Sequence, residues 1–472
     1  MNQLTKVLKK TITYLEQQEK ERINQDPYRL HFHLMPPAGW LNDPNGLSQY
    51  KGDYHVFFQY APTEVQGGLK MWGHYRSRDL IHWEYLGVPL MADTPYDCHG
   101  VYSGSALPDK DGLHLYYTGN VKLEDKEYDY INDGRQAWTL HTVSRDGIHF
   151  EKKEIVLSPG DYPENYTCHI RDPKVWKENN VYYMILGGRK KSDQGAVLLY
   201  RSSDGKKWEY DRELSTEVPF GYMWECTDLF TVQGQRVLSV SPQGLKREAY
   251  RFQNRYQSGY FLLEKGKGLE NFQEWDLGFD FYAPQTFEDE KGRRILIGWM
   301  GMPDAEEEYT NPQEGGWQHA LTVPREIVWR EGKLCQYPVE EIEKLRGKQF
   351  FMKAGEEKIF PFSCFDLILK QEASADCRIC LAESLTITYQ EGVVKIELGE
   401  REGRGRKIRQ ARLESLYEIR VLADTSAIEI YLNQGELVFT LRYYPGQAFA
   451  RLKAETDAAS VCLWEMGEME CV

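Results

Sequence analysis

The chain reads as an all-β protein: a five-bladed β-propeller followed by a C-terminal β-sandwich, with a short N-terminal helix ahead of both. Three observations predict this. A short apolar strand following a tight turn occurs in five copies, YHVFFQY from Tyr54, LHLYYTG from Leu113, VYYMILGG from Val181, VLSVS from Val237 and ILIGW from Ile295. A second element lies further along each unit: SRDLIHWE at Ser77, SRDGIHFE at Ser144 and SSDGKKWE at Ser202, with a worn copy, NFQEW, at Asn271. Trp83, Phe150, Trp208 and Trp275 thereby mark one position in four successive units. From Phe350 onward the repeat stops and strands alternate with polar turns.

Taken in order, Leu4, Val7, Leu8, Ile12 and Leu15 recur at helical spacing, which predicts an amphipathic helix over residues 3 to about 23. After Pro27 the segments shorten and alternate. Gly52-Asp53, Asp111-Gly112, Asn179-Asn180, Gly234-Gln235 and Lys291-Gly292 carry the chemistry of hairpin turns. A unit of about four strands cannot bury its own faces, whereas five arranged radially can. PVEEIEKLR, residues 338 to 346, predicts a short connecting helix. Beyond it, strands are expected around Asp366–Leu369, Leu385–Tyr389, Val393–Leu398, Tyr417–Val421, Ile428–Leu432 and Leu437–Leu441, the pattern of a sandwich. The predicted organisation is a helical extension (1–28), a propeller (29–337), a linker helix (338–349) and a sandwich (350–472). The basic run Arg401, Arg404, Arg406, Lys407, Arg409 and Arg412 is expected on a solvated hairpin.

Composition narrows the function. A net charge of −14 argues against nucleic acid and anionic membranes as partners. The N-terminus lacks the pattern of an export signal and no stretch is long enough to span a bilayer, so a cytoplasmic protein is expected. Nine scattered cysteines show neither a disulfide framework nor a zinc-site spacing, so reduced thiols in a cytoplasm are expected. Cys377 and Cys380 form a CxxC within apolar strand residues, which favours packing over redox chemistry. Asn165-Tyr166-Thr167 matches a glycosylation acceptor, a match expected to be chance where no secretion signal is read. With 31 Tyr and 12 Trp, the chain is rich in rings that suit both β packing and sugar stacking.

The segments just upstream of the five hairpins should converge on the propeller axis: WLNDPNG (40–46), VYSGS (101–105), HIRDP (169–173), WECTD (224–228) and YAPQ (282–285). Three of them carry a carboxylate at the register facing the funnel, Asp43, Asp172 and Glu225. Clustered carboxylates repel one another and cost stability unless a site uses them. Hydrolysis of a sugar acetal needs one carboxylic acid to protonate the leaving oxygen and one carboxylate to attack the anomeric carbon or activate water. Glu225 and Asp43 suit those roles, and Asp172 with Arg171 suits binding of sugar hydroxyls. Asn42, Gln59, Ser103 and Trp72 offer hydrogen bonds and a stacking face. The plainer alternatives are that Asp43, before Pro44, is a turn residue and that Trp72 packs between blades.

WLNDPNG, FFQY, MWGHY, YSGS, RDP, WEC and GWMG also stand in the order and blade positions of glycoside hydrolase family 32, the invertases, fructanases and sucrose-6-phosphate hydrolases. The chain resembles that family strongly over roughly residues 29 to 340 and more weakly through the second domain, where DTSAIEIYLNQGE at Asp424 looks like its sandwich signature. The resemblance implies retaining hydrolysis of a terminal β-D-fructofuranoside through a covalent fructosyl-enzyme, without metal or organic cofactor. It maps the nucleophile to Asp43, the transition-state stabiliser to Asp172 and the acid/base, entering protonated, to Glu225. Substrate contacts map to Asn42, Gln59, Trp72, Tyr102, Ser103, Arg171 and Trp299. Departures from the family pattern are Ala61-Pro62 in place of Asn-Pro, Thr227 in place of Pro after WEC, and Tyr102 in place of Phe. The expected substrate is a small sugar: sucrose 6-phosphate, sucrose or short fructo-oligosaccharides. A phosphate would want a cation from Arg135, His169, Arg189, Lys190 or Arg247. Rival readings are a fructan exo-hydrolase, a transfructosylase, an inverting five-bladed pentosidase and a non-catalytic fructan-binding module; the last should lack at least one carboxylate. A homodimer is the oligomer considered, with the helix packed on the propeller or on a partner subunit.

Overall fold

The computed structural model describes residues 3–471 apart from 265, 373, 382–383, 448–449 and 457–459. Five antiparallel sheets form the blades, and their innermost strands are Gly39–Tyr50, Val101–Asp109, Tyr166–Glu178, Met223–Val232 and Tyr282–Glu288. Each innermost strand packs on the next and the fifth on the first, which closes the ring around an axis. Trp317–Gln318 adds in parallel to the inner edge of blade 1, and Glu470–Cys471 adds in parallel to its outer strand His82–Tyr85.

Local chemistry accounts for both sequence repeats. Three inner hairpins turn through two successive left-handed residues, Lys51 and Gly52 (φ 54° and 82°), Asn179 and Asn180 (50° and 63°), and Gln233 and Gly234 (46° and 83°), the twist that suits antiparallel strands. In the second repeat the aspartate caps its own turn. Asp79 Oδ1 accepts the backbone N–H groups of Ile81 and His82 at 3.2 and 2.9 Å, Asp146 those of Ile148 and His149 at 2.9 and 2.8 Å, and Asp204 those of Lys206 and Lys207 at 2.8 Å each. The ring that follows is anchored in turn: Trp83 and Trp275 are buried.

The N-terminal helix spans Gln3–Asn24 and lies on blade 1, where Glu16 accepts hydrogen bonds from Tyr60 and Tyr85 at 3.0 and 2.7 Å. No helix among the described residues is long and apolar enough to cross a membrane. The predicted connecting helix is a 3₁₀ turn, Glu340–Leu345, held by Arg293 and Lys291 on the buried Glu341. It leads directly into Arg346–Met352, the first strand of a sandwich of two six-stranded sheets. Leu367, Ile379, Ile387, Ile396, Val421, Ile430, Phe439 and Leu463 lie in the core of that sandwich. Cys377 and Cys380 both lie on strand Cys377–Leu381, where an i, i+3 spacing puts side chains on opposite faces, and both are free thiols.

The basic run is solvated only in part: Arg401, Arg404, Lys407 and Arg412 are exposed, as expected, but two of its members are not. Arg406 and Arg409 are buried against the propeller: Arg406 grips Asp280 through two bonds of 2.7 and 2.6 Å and stacks on Tyr309, and Arg409 holds Asn254 at 2.6 Å. Sequence cannot show which charges face a partner domain, and here the partner supplies their counter-groups. The sandwich segment DTSAIEIYLNQGE is a fastener of the same kind. His33 lies between Asp424 (2.8 Å) and Glu429 (3.0 Å), and Glu429 also binds Arg325, which reaches Asp276 at 3.1 Å. All five side chains are fully buried, so removing any one strands a charge.

Candidate active site

Each innermost strand carries one extra residue at the same place. Pairing runs from Leu41 to Pro44, Val101 to Gly104, Arg171 to Lys174, Glu225 to Asp228 and Tyr282 to Gln285, while the neighbouring strand advances by only two positions. A bulge of this kind bends the strand and re-aims its side chains. In three blades it forces a non-glycine residue into the left-handed region: Asp172 (φ 64°), Cys226 (49°) and Ala283 (51°). Such conformations cost about 1–3 kcal/mol each and persist where the surroundings hold them. The bulges therefore gather Asp43, Asp172 and Glu225 at one end of the axis.

Asp43 is held from both sides. Asn42 Nδ2 donates to Asp43 Oδ1 at 2.9 Å, and the Ser103 hydroxyl donates to Oδ2. Asn42 also donates to Gln59 at 2.8 Å, and Gln59 donates to Ser103 at 2.6 Å, which closes a ring of four side chains across blades 1 and 2. Asp172 Oδ2 accepts the backbone N–H of Cys226 at 2.8 Å. Glu225 accepts three bonds: Arg171 Nε on Oε1 at 2.9 Å, and Gln243 Nε2 and the Tyr282 hydroxyl on Oε2 at 2.7 and 2.8 Å. The Cys226 thiol lies 3.7 Å from Asp43 Oδ2, and burial, then Asp43, Asp172 and Glu225, hold that thiol well above its ordinary range.

Residues 33–338 match the model of the glycosyl hydrolases family 32 N-terminal domain, and residues 382–465 match that of the family 32 C-terminal domain. The chain belongs to glycosyl hydrolase family 32. A sucrose-6-phosphate hydrolase of Bacillus subtilis is 38% identical, covering 92% of each chain, and a raffinose invertase of Escherichia coli is 38% identical, covering 88% of this chain and 89% of that one. Among solved structures, a sucrose-6-phosphate hydrolase from Lactobacillus gasseri superposes with a TM-score of 0.87 at 28% identity, covering 97% of both chains. A Bombyx mori β-fructofuranosidase determined in complex with sucrose superposes at 0.86 and 29% identity over the whole of both chains.

Within this family 32 site the electrostatics follow burial and crowding. Asp43 is pushed up by burial, opposed by the bonds from Ser103 and Asn42, with Glu225 raising it and Lys70 lowering it. Asp172 is pushed up to about 7 by burial and then by Glu225, against the pull of Arg171. Glu225 is surrounded by three donors, and Asp172 is the more deeply buried of the two.

Not every residue picked from sequence lies where a sugar would touch it. Trp72 is fully buried between blades 1 and 2 against Phe57 and Tyr117, with its indole N–H on the Tyr102 carbonyl at 3.1 Å; it is a packing ring without a free face. Ser103 and Gln59 are buried and spend their bonds on Asp43 and its neighbours. Trp299 is 3% exposed, packed on Trp40 and Tyr282. Arg171 and Tyr102 are half-buried beside Glu225. Of the departures from the family pattern, Ala61 is buried and Thr227 turns its hydroxyl to the Asp172 carbonyl at 3.4 Å. Sequence reasoning missed Gln243, Tyr282 and Lys70, whose ammonium lies over the Trp40 ring at 4.7 Å. Tyr282 stood inside the fifth axial segment and was legible there; Gln243 ends the second strand of its blade and Lys70 immediately precedes the third strand of blade 1, outside every axial segment.

Proposed function

We propose that the protein is a cytoplasmic retaining β-fructofuranosidase that releases fructose from sucrose 6-phosphate, and from sucrose, through a covalent fructosyl-enzyme. The observation that carries this reading is the convergence of Asp43, Asp172 and Glu225 at three of the five equivalent bulges. Nine free thiols support a reducing compartment. The names of the relatives support the substrate class.

Asp43, oriented by Asn42 and Ser103, attacks the anomeric carbon while Glu225 gives its proton to the bridging oxygen; water, deprotonated by Glu225, then releases fructose. Asp172, ionised, faces the positive charge that develops on the ring. Burial and the neighbouring Glu225 push Asp172 up to about 7, so its ionised form gains most when positive charge develops on the ring. Fructan exo-hydrolysis and transfer to a sugar acceptor use the same first step.

The test is steady-state hydrolysis of sucrose against sucrose 6-phosphate with Asp43→Ala as the blank. A large gain in specificity constant for the phosphorylated sugar supports a phosphosugar hydrolase. Equal or better turnover of sucrose makes the protein an invertase, and activity surviving in Asp43→Ala overturns the mechanism. Proton NMR of the first-formed sugar separates retention, which yields the β-furanose, from inversion.

A further inference from the structure

Five basic residues near the pocket are candidates for an anion on the leaving group, and their partners separate them. Arg189 donates to Asp193 at 2.9 and 2.6 Å, and Lys190 to Glu213 at 2.7 Å. Arg247 stands exposed in solvent. His169 bridges Arg171 at 3.3 Å and the Tyr130 carbonyl at 3.0 Å; burial, with Arg171 and Arg135 beside it, pushes its ring down to about 3, so it is neutral. Arg135 is different. It is 7% exposed, no carboxylate among the described residues lies within ion-pair distance, and its Nε–H is buried without an acceptor. A guanidinium buried without an anion is costly unless an anion arrives.

Arg135 also stands in the right direction. Contacts run outward from Glu225 to Arg171, from Arg171 to His169, from His169 to Tyr130, and from the Tyr130 hydroxyl to Arg135 at 2.5 Å. Glu225 protonates the bridging oxygen in the mechanism above, so groups beyond it from Asp43 lie on the side of the leaving sugar. Arg171 and Arg189 on this side are already paired with Glu225 and Asp193, which leaves Arg135 as the cation here without a carboxylate partner among the described residues. Resting on the phosphosugar reading, we propose that Arg135 is the specificity-determining residue that binds the phosphate monoester of the leaving glucosyl group, with the Tyr130 hydroxyl as its second donor. The guanidinium fork matches phosphate oxygens, and the Tyr130 hydroxyl, accepting from Arg135, keeps its own proton to donate.

The experiment measures kcat/KM for sucrose 6-phosphate and for sucrose in the wild type, Arg135→Gln and Arg135→Lys. Inhibition by glucose 6-phosphate is compared with inhibition by glucose. Charge-assisted bonds of this kind predict that the ratio of the two specificity constants falls in Arg135→Gln by about 10-fold to 100-fold, and that glucose 6-phosphate loses its advantage over glucose as an inhibitor. Arg135→Lys keeps the charge and recovers part of the ratio, which also serves if the Gln variant does not fold. A wild-type preference for the phosphorylated sugar that survives in both variants overturns the assignment to Arg135 and leaves the phosphosugar reading standing. A wild type with no preference sinks both.

Discussion

Cys226 donates its backbone N–H to Asp172 Oδ2 at 2.8 Å, and both residues hold a left-handed backbone, φ 49° and 64°. Two bulges in adjacent blades thus lock to each other through one axial carboxylate. Asp172 is the group on which site and stability conflict, since its charged form is disfavoured by burial and by Glu225.

Replacing Asp172 by Asn should lower kcat by about 10³-fold, the loss expected when a preorganised charge is removed from the transition state. Its effect on stability has a definite sign. The folded pKa of about 7 lies above the ordinary carboxylate value, so the stabilisation from protonated Asp172 is full below about pH 4 and is lost as pH rises through 7. Asn cannot ionise. The melting temperature of Asp172→Asn relative to wild type should therefore climb between pH 5 and pH 8 in scanning fluorimetry, and a flat difference would contradict the assignment.

Glu225→Ala and Asp43→Ala should differ in their response to the leaving group. An aryl fructofuranoside needs no protonation, so Glu225→Ala should lose about 10⁴-fold on sucrose and far less on the aryl substrate. Asp43→Ala should lose both alike. Parallel losses for the two variants would remove the acid role from Glu225.

Lys70, held over Trp40, lowers the Asp43 carboxyl and is itself pushed down to about 8 by burial. In Lys70→Met the acid limb of the kcat/KM profile should move to higher pH. Above pH 8 the wild-type ammonium is itself lost and the two profiles should converge. Profiles that stay parallel across the whole range would exclude a charge effect.

His33 is raised to about 9 between Asp424 and Glu429. A raised basic group contributes stability that is whole below its ordinary pKa near 6.5 and lost as pH rises through 9. His33→Gln should cost about 3–5 kcal/mol at pH 6, the cost of breaking a buried ion pair, and the gap from wild type should narrow by pH 10 in thermal unfolding. A gap independent of pH would mean that packing alone accounts for it.

The propeller was legible because its repeats are local. A hairpin needs left-handed residues at two adjacent positions, and an Asx turn needs an aspartate two and three residues before its donors, so each leaves a mark within a short window. The axial register was legible for the same reason: each axial segment stands just ahead of its hairpin, and Asp43, Asp172 and Glu225 could be named from that alone. Partners across blades and domains were not legible. Trp72 was read as a stacking ring and is buried, because burial depends on the neighbouring blade. Arg406 was read as solvated and is clamped by Asp280, because its counter-charge lies on the propeller. Likewise, the donors that hold Glu225 were not legible, since Gln243, Tyr282 and Arg171 arrive from three different blades. Sequence by itself determined the elements, their order and the three carboxylates, all set by short-range backbone chemistry. Only the tertiary structure decided which side chains are desolvated and which charges meet, because desolvation and Coulomb energy depend on distances between segments far apart in the chain.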